Sequence, residues 1–198
     1  ETLGRRLASM LVAFDFDGTL SDSEMTVLLG EEAGVADEIA AITERAMNDE
    51  IDYATSLRER AALLEGLPEA RAAEAFDRVD LRPGAAEVLT ALSAAGHRTA
   101  ILTGGFETGV ERALDAAGTG VDVVIANRLP VADGALTGDV EGPLVEGTKD
   151  EALSELATAE GVPMTETVAV GDGANDLPML RVAGLAVGYA PKPRSEER

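Results

Sequence analysis

The sequence predicts an α/β fold: a doubly wound parallel (Rossmann-like) core interrupted by an inserted small helical bundle. Three observations carry this. Short apolar runs such as Met10–Phe14, Thr99–Leu102 and Val168–Val170 are those of buried parallel strands, and the first stops abruptly at Asp15. In the second half of the chain these runs alternate with helical patterns. Between Glu24 and Asp80 the periodicity is helical throughout, with no strand among the helices.

The elements follow in order. Met10–Phe14 is the first strand. Apolar residues then recur at helical spacing in Met25–Ala33, Ile39–Met47, Tyr53–Leu64 and Ala70–Val79, broken at Gly34, Asn48–Asp49 and Gly66–Pro68, giving three or four helices. Pro83-Gly84 opens a helix that ends at Gly96, and Thr99–Leu102 is the next strand. Thr103-Gly104-Gly105 leads into a helix to about Ala117, followed by the strand Val121–Ala126. Asp133-Gly134 between Leu129–Val131 and Ala135–Val140 is a hairpin turn. Thr148 and Glu151 form a capping box that starts a helix running to about Glu160. Val168–Val170, a helix over Leu177–Ala183 and the strand Leu185–Val187 complete the pattern. The core is therefore expected over 1–20 and 82–198, with 21–81 inserted at the carboxyl edge of the sheet, where open α/β sheets bind ligands.

Composition narrows the chemistry. The 198 residues carry 37 acidic and 16 basic side chains, a formal charge of −21, and 45% are hydrophobic, enough for a real core. That charge makes nucleic acid and anionic membranes poor partners. The absence of cysteine excludes disulfides, thiolate catalysis and cysteine-bound metals, and a single histidine excludes a multi-histidine site. Carboxylates, hydroxyls, Lys, Arg and backbone amides remain, a set suited to a hard, oxygen-ligated cation such as Mg²⁺.

Lysine is nearly absent: there are 14 arginines against Lys149 and Lys192. An acidic coat without lysine suggests a high-salt cytoplasm, the alternative being an ordinary acidic bacterial protein. No apolar run approaches the ~20 residues of a membrane span. Glu1–Met10 is too short in apolar residues for a signal peptide, so a cytoplasmic protein is expected. Arg5 and Arg6 read as a solvated terminus and Pro191–Arg198 as a loose polar tail.

Three chemistry-bearing segments sit where a parallel strand ends: Asp15-Phe16-Asp17-Gly18-Thr19, Thr103-Gly104-Gly105 and Gly171-Asp172-Gly173-Ala174-Asn175-Asp176. Lys149 opens a capped helix. A doubly wound sheet gathers such positions in one crevice. Clustered carboxylates there need a cation, while glycine-rich turns and helix N-termini offer N–H groups to an anion. Metal, carboxylates, amides and one Lys together describe phosphoryl transfer. Asp15 and Asp17, two apart, face one way in extended chain, so one carboxylate can attack phosphorus and the other can move the proton. The segment 171–176 is not a dinucleotide loop, because Asp176 stands where the third glycine is required.

In order, Asp-Phe-Asp-Gly-Thr-Leu, Thr-Gly-Gly-Phe, a downstream Lys and Gly-Asp-Gly-Ala-Asn-Asp-Leu resemble the motifs of the haloacid dehalogenase-like phosphatases, from about Met10 to Pro193. The helical insert is similar to the small cap of their phosphoserine phosphatase branch. The resemblance implies Asp15 as nucleophile and Asp17 as general acid/base. It implies Mg²⁺ held by Asp15, Asp172 and the backbone carbonyl of Asp17. Phosphoryl oxygens would meet Thr103, Gly104, Lys149 and Asn175, with Asp176 orienting Lys149 or metal-bound water. In the cap, Glu24 would meet the substrate ammonium and Arg60 its carboxylate, with Tyr53 and Met47 as an apolar wall.

Three positions depart from the usual pattern: Thr103 and Gly18 each stand for Ser, and Tyr53 for Phe. The chain stops at Arg198, where the family usually continues with another short strand and helix; a truncated end there would expose a sheet edge. The implied activity is hydrolysis of O-phosphoserine through an aspartyl phosphate. The alternatives are another small phosphate ester, a phosphotransferase, or a binding module with a dead site. His97 and the oligomeric state carry no functional expectation.

Overall fold

A computed structural model describes residues 9–190, so the expectations for Arg5, Arg6 and Pro191–Arg198 lie outside the described residues. The chain opens with β1 (Leu11–Phe14), followed by helices α1 (Met25–Ala33), α2 (Ala36–Met47), α3 (Tyr53–Ala62) and α4 (Glu69–Phe76). Then come α5 (Ala85–Ala94), β2 (Arg98–Phe106), α6 (Glu107–Ala116) and β3 (Val123–Asn127). A small hairpin of β4 (Val131–Ala132) and β5 (Ala135–Leu136) precedes the single turn α7 (Pro143–Glu146) and α8 (Lys149–Glu160). The last elements are β6 (Thr167–Gly171), α9 (Leu177–Val182) and β7 (Leu185–Gly188).

The five longer strands form one parallel sheet in the order β3-β2-β1-β6-β7. Strand alternation divides β1 between two cores. Val12 and Phe14 join Leu89, Ile101 and Val110 on one face, and Leu11 and Ala13 join Leu153, Ala157 and Met179 on the other. Each fully buried Leu or Ile there contributes about 1.5–3 kcal/mol. Register places Phe14 opposite Ile101 of β2 and Val170 of β6, and the Asp15 N–H donates to the Val170 carbonyl at 2.8 Å. The loops that leave β1, β2 and β6 therefore emerge side by side.

The core on the Phe14 face continues into the helical segment. Met25, Leu29, Ile39, Leu57 and Leu64 are buried in the same cluster, and the rings of Phe76 and Phe106 meet edge to face at 6.3 Å. Most boundaries shift by a few residues, and three differences bear on the site. β2 runs on to Phe106, and its pairing with β3 shifts register between Leu102 and Phe106, which throws out the Thr103-Gly104-Gly105 turn. The hairpin ladder is short, two residues a side, because Leu136 turns away to the helical segment. Its N–H donates to the Leu67 carbonyl, while Gly66 N–H donates to Leu136 and Glu69 N–H to Gly134, each at 2.9 Å. The α7 turn carried no periodic signal, being one turn long. β7 forms an edge of the sheet, with Leu185 and Val187 exposed.

Candidate active site

The buried centre is an ion triad. Lys149, the first residue of α8, is held by the Thr148–Glu151 capping box, and its Nζ stands 2.6 Å from Asp15 Oδ1 and 2.5 Å from Asp176 Oδ1. All three side chains are buried. Burial alone would lower the Lys149 pKa, but the two carboxylates outweigh it and hold the ammonium above its usual value. Burial likewise pushes Asp15 up to about 7, against the opposing pull of Lys149. The second oxygen of Asp176 accepts N–H groups from Asp172 at 3.0 Å and Gly173 at 2.9 Å, so the loop after β6 winds around this carboxylate.

Asp17 lies one turn beyond. Its Oδ2 accepts the N–H of Met25, at the start of α1, at 3.3 Å, and its Oδ1 is buried with no hydrogen-bond partner among the described residues. Burial, then Glu24 and Asp15, raise its carboxyl well above the ordinary value. A carboxyl whose protonated form is favoured by burial, with one oxygen unengaged, suits a proton donor.

Carboxylate oxygens of Asp15, Asp172 and Asp176 lie within 4.8 Å of one another, a hard, buried, all-oxygen cluster that fits a divalent cation. Both oxygens of Asp176 are engaged, one with Lys149 and the other with the loop N–H groups. Gly18 adopts φ +87°, and a Cβ there would stand 2.5 Å from Asp172 Oδ2, so the missing side chain lets Asp172 lie against this turn.

Thr103 is buried, its Oγ1 accepting the Gly105 N–H at 2.9 Å. A cavity of about 580 Å³ opens beside it, lined by Tyr53, Arg58, Gly104, Glu146, Lys149 and Asn175 among others. Asn175 is exposed at its rim. Tyr53 starts α3 behind the Asp52 cap, which accepts the Thr55 N–H at 2.7 Å. The residue is 39% exposed overall, yet its hydroxyl is enclosed against Gly104, and that burial raises its pKa. Arg60 is half-buried, with Nη1 3.2 Å from Thr26 Oγ1. Glu24 is the exposed N-cap residue of α1, within electrostatic reach of Asp17. Met47 ends α2 at 60% exposure and does not line the cavity.

Sequence reasoning passed over Thr19 and Met25. Thr19 Oγ1 donates to Asp172 Oδ1 at 3.4 Å. Met25 gives its N–H to Asp17 and takes the Phe106 N–H on its sulfur at 3.3 Å. A helix N-terminus is a natural partner for a carboxylate, which is the signal that could have found Met25.

The haloacid dehalogenase-like hydrolase family model matches residues 12–181. A phosphoserine phosphatase of Halobacterium salinarum is 59% identical over 183 residues, covering 92% of this chain and 87% of the relative. One of Methanocaldococcus jannaschii is 41% identical over 189 residues, covering 95% and 89%. A solved substrate-bound phosphoserine phosphatase complex, 39% identical, superimposes with a TM-score of 0.87 over 96% of this chain and 90% of the other. The parallel sheet, its three converging loops and the extent of these matches agree, and the chain belongs to the haloacid dehalogenase-like hydrolase family.

Proposed function

We propose that this chain is a Mg²⁺-dependent phosphoserine phosphatase, converting O-phosphoserine to serine and phosphate through an aspartyl phosphate on Asp15. The observation that carries it is the buried Lys149 ammonium bracketed by Asp15 and Asp176, at the edge of a cavity walled by Gly104 and Asn175. Asp15, Asp172 and the Asp17 carbonyl would hold Mg²⁺, which when bound supplies charge neutralisation at the phosphoryl oxygens.

Asp15 attacks phosphorus and the ester P–O bond breaks, while Asp17 gives its proton to the departing serine oxygen. Water then attacks the aspartyl phosphate, Asp17 takes the water's proton, and Asp15 is regenerated. Lys149, Thr103, Gly104 and Asn175 bind the phosphoryl oxygens, and Asp176 keeps Lys149 aimed. At the far end of the substrate, Glu24 meets the ammonium and Arg60 the carboxylate. Residues 21–81 act as a cap over the core of 1–20 and 82–198, with Tyr53 at the cavity wall, while Met47 stays outside the cavity. The cap keeps bulk water from the acyl phosphate.

The partner is a small phosphate ester, and the acidic, cysteine-free composition fits a cytoplasmic enzyme. No helix among the described residues is long and apolar enough to cross a membrane. Phosphate release from L-phosphoserine and from a panel of other monoesters, with Mg²⁺ and with chelator, tests the proposal. Phosphoserine is expected to be preferred and chelator to abolish turnover; equal turnover across the panel overturns the substrate assignment.

A further inference from the structure

Asn127 closes β3 and is fully buried. Both ends of its amide are used. Nδ2 donates to the Gly104 carbonyl at 3.2 Å, and Oδ1 accepts the Leu144 N–H at 3.0 Å. Gly104 and Leu144 belong to opposite parts of the chain, yet both line the 580 Å³ cavity, and the segment after Leu144 leads to Lys149. The chain entering α7 is pressed onto this side chain: a Cβ on Gly142 would stand 2.5 Å from Asn127 Oδ1.

The peptide joining Gly104 and Gly105 is planar and trans, so its C=O and N–H point in opposite directions. Asn127 holds the carbonyl on one side, and the N–H on the other side donates to Thr103 Oγ1 at 2.9 Å. A hydroxyl oxygen that accepts there keeps its own proton for an outward bond. We infer that Asn127 is a positioning residue for the phosphate-binding wall: it fixes the Gly104–Gly105 peptide, and through it the Thr103 hydroxyl, while tying the same wall to the segment that delivers Lys149. This rests on the proposed role of Thr103 and Gly104 in holding the phosphoryl group.

The test uses inorganic phosphate as probe, in the presence of Mg²⁺, read as the phosphate-induced rise in melting temperature and as inhibition of phosphoserine hydrolysis. Asn127→Leu keeps the size and removes both bonds; phosphate affinity is expected to fall roughly tenfold. The control is Thr167→Val on β6, which also loses two hydrogen bonds of a buried side chain, to the Met164 carbonyl at 2.7 Å and from the Gly184 N–H at 3.2 Å. It is expected to melt earlier while keeping phosphate affinity within about twofold. Undiminished phosphate affinity in Asn127→Leu, or an equal loss in Thr167→Val, overturns the inference. Should Asn127→Leu fail to fold, Asn127→Asp keeps the acceptor for Leu144 and puts an oxygen against the Gly104 carbonyl. The same loss is expected there, and wild-type affinity overturns the inference. A wild-type protein that binds phosphate without hydrolysing phosphoserine overturns the proposed function instead, and leaves the phosphate comparison standing.

Discussion

The hydroxyl of Tyr53 occupies the place where a side chain on residue 104 would begin. Tyr53 stands at the first turn of α3 and Gly104 in the turn of β2, so one atom position is shared between the helical segment and the sheet. Gly104→Ala is expected to push the start of α3 outward and lower kcat/KM for phosphoserine by about 10²-fold, as misplacement of roughly an ångström does. Pairing it with Tyr53→Phe should recover part of that loss, because the hydroxyl is the closest atom. Steady-state kinetics of the single and double variants measure both effects.

Lys149→Met is expected to be costly twice. It strands the Asp15 and Asp176 carboxylates in a buried site, and removing one partner of a buried pair costs about 3–5 kcal/mol. It also removes charge stabilisation at the phosphoryl group, lowering kcat on the order of 10³-fold. Urea unfolding and single-turnover kinetics separate the two losses. Restoration of stability but not of kcat at low pH, where Asp15 is protonated, is the expected pattern.

The raised Asp15 pKa has a consequence for the metal-free protein. Its ordinary value is 3.8 and its value in the fold is about 7, so the neutral form is favoured by folding. The stability this contributes is fully present below about pH 3.8 and is lost as pH climbs through 7. Asp15→Asn should lack this dependence and also lose all turnover. Urea unfolding of both proteins in chelator between pH 4 and 8 should show the wild type losing stability relative to the variant as pH rises. Adding Mg²⁺ at pH 8 should stabilise the wild type more than the variant, by binding the native state.

Much of this site was legible before the fold was known, and the reason is local. Asp15, Thr103 and Asp172 follow apolar runs that could be recognised as strands, and Thr148 with Glu151 announced the helix that carries Lys149. Other features depend on long-range packing and left no local mark. Nothing near Asn127 says that its amide reaches back to Gly104, and nothing near Met25 says that its sulfur lies under the Phe106 N–H. The hairpin was expected to be longer because Leu129–Val131 and Ala135–Val140 are apolar; the ladder stops at Leu136, whose main-chain N–H and C=O bond to Leu67 and Gly66, a competition decided by the tertiary fold.

Arg60→Ala is expected to raise KM for phosphoserine by roughly 10²-fold while changing p-nitrophenyl phosphate hydrolysis little, since a charged hydrogen bond to one substrate carboxylate is lost. Equal losses on the two substrates would assign Arg60 to the packing of α3 on α1, where it already reaches Thr26.

Salt supplies a further check. Molar salt shortens the screening length from about 8 Å to about 3 Å, quieting repulsion in a chain of net charge −21 and repulsion of an anionic substrate. Activity and melting temperature should both rise between low and molar KCl. A steady fall of both would remove the high-salt assignment.

Three main-chain hydrogen bonds join Gly66, Leu67 and Glu69 to the β4–β5 hairpin, far along the chain from the two crossings at 15–24 and 77–84. A plate fastened along one edge has a rotational degree of freedom; a third anchor away from that edge removes it. The helical segment therefore cannot swing as one rigid door while the hairpin holds. A bend for substrate entry is then expected at the corner between α2 and α3, where Asp49 sits at φ 58° and the chain turns into Tyr53. Substrate passage by such a bend would displace fewer residues than the lifting of a whole lid.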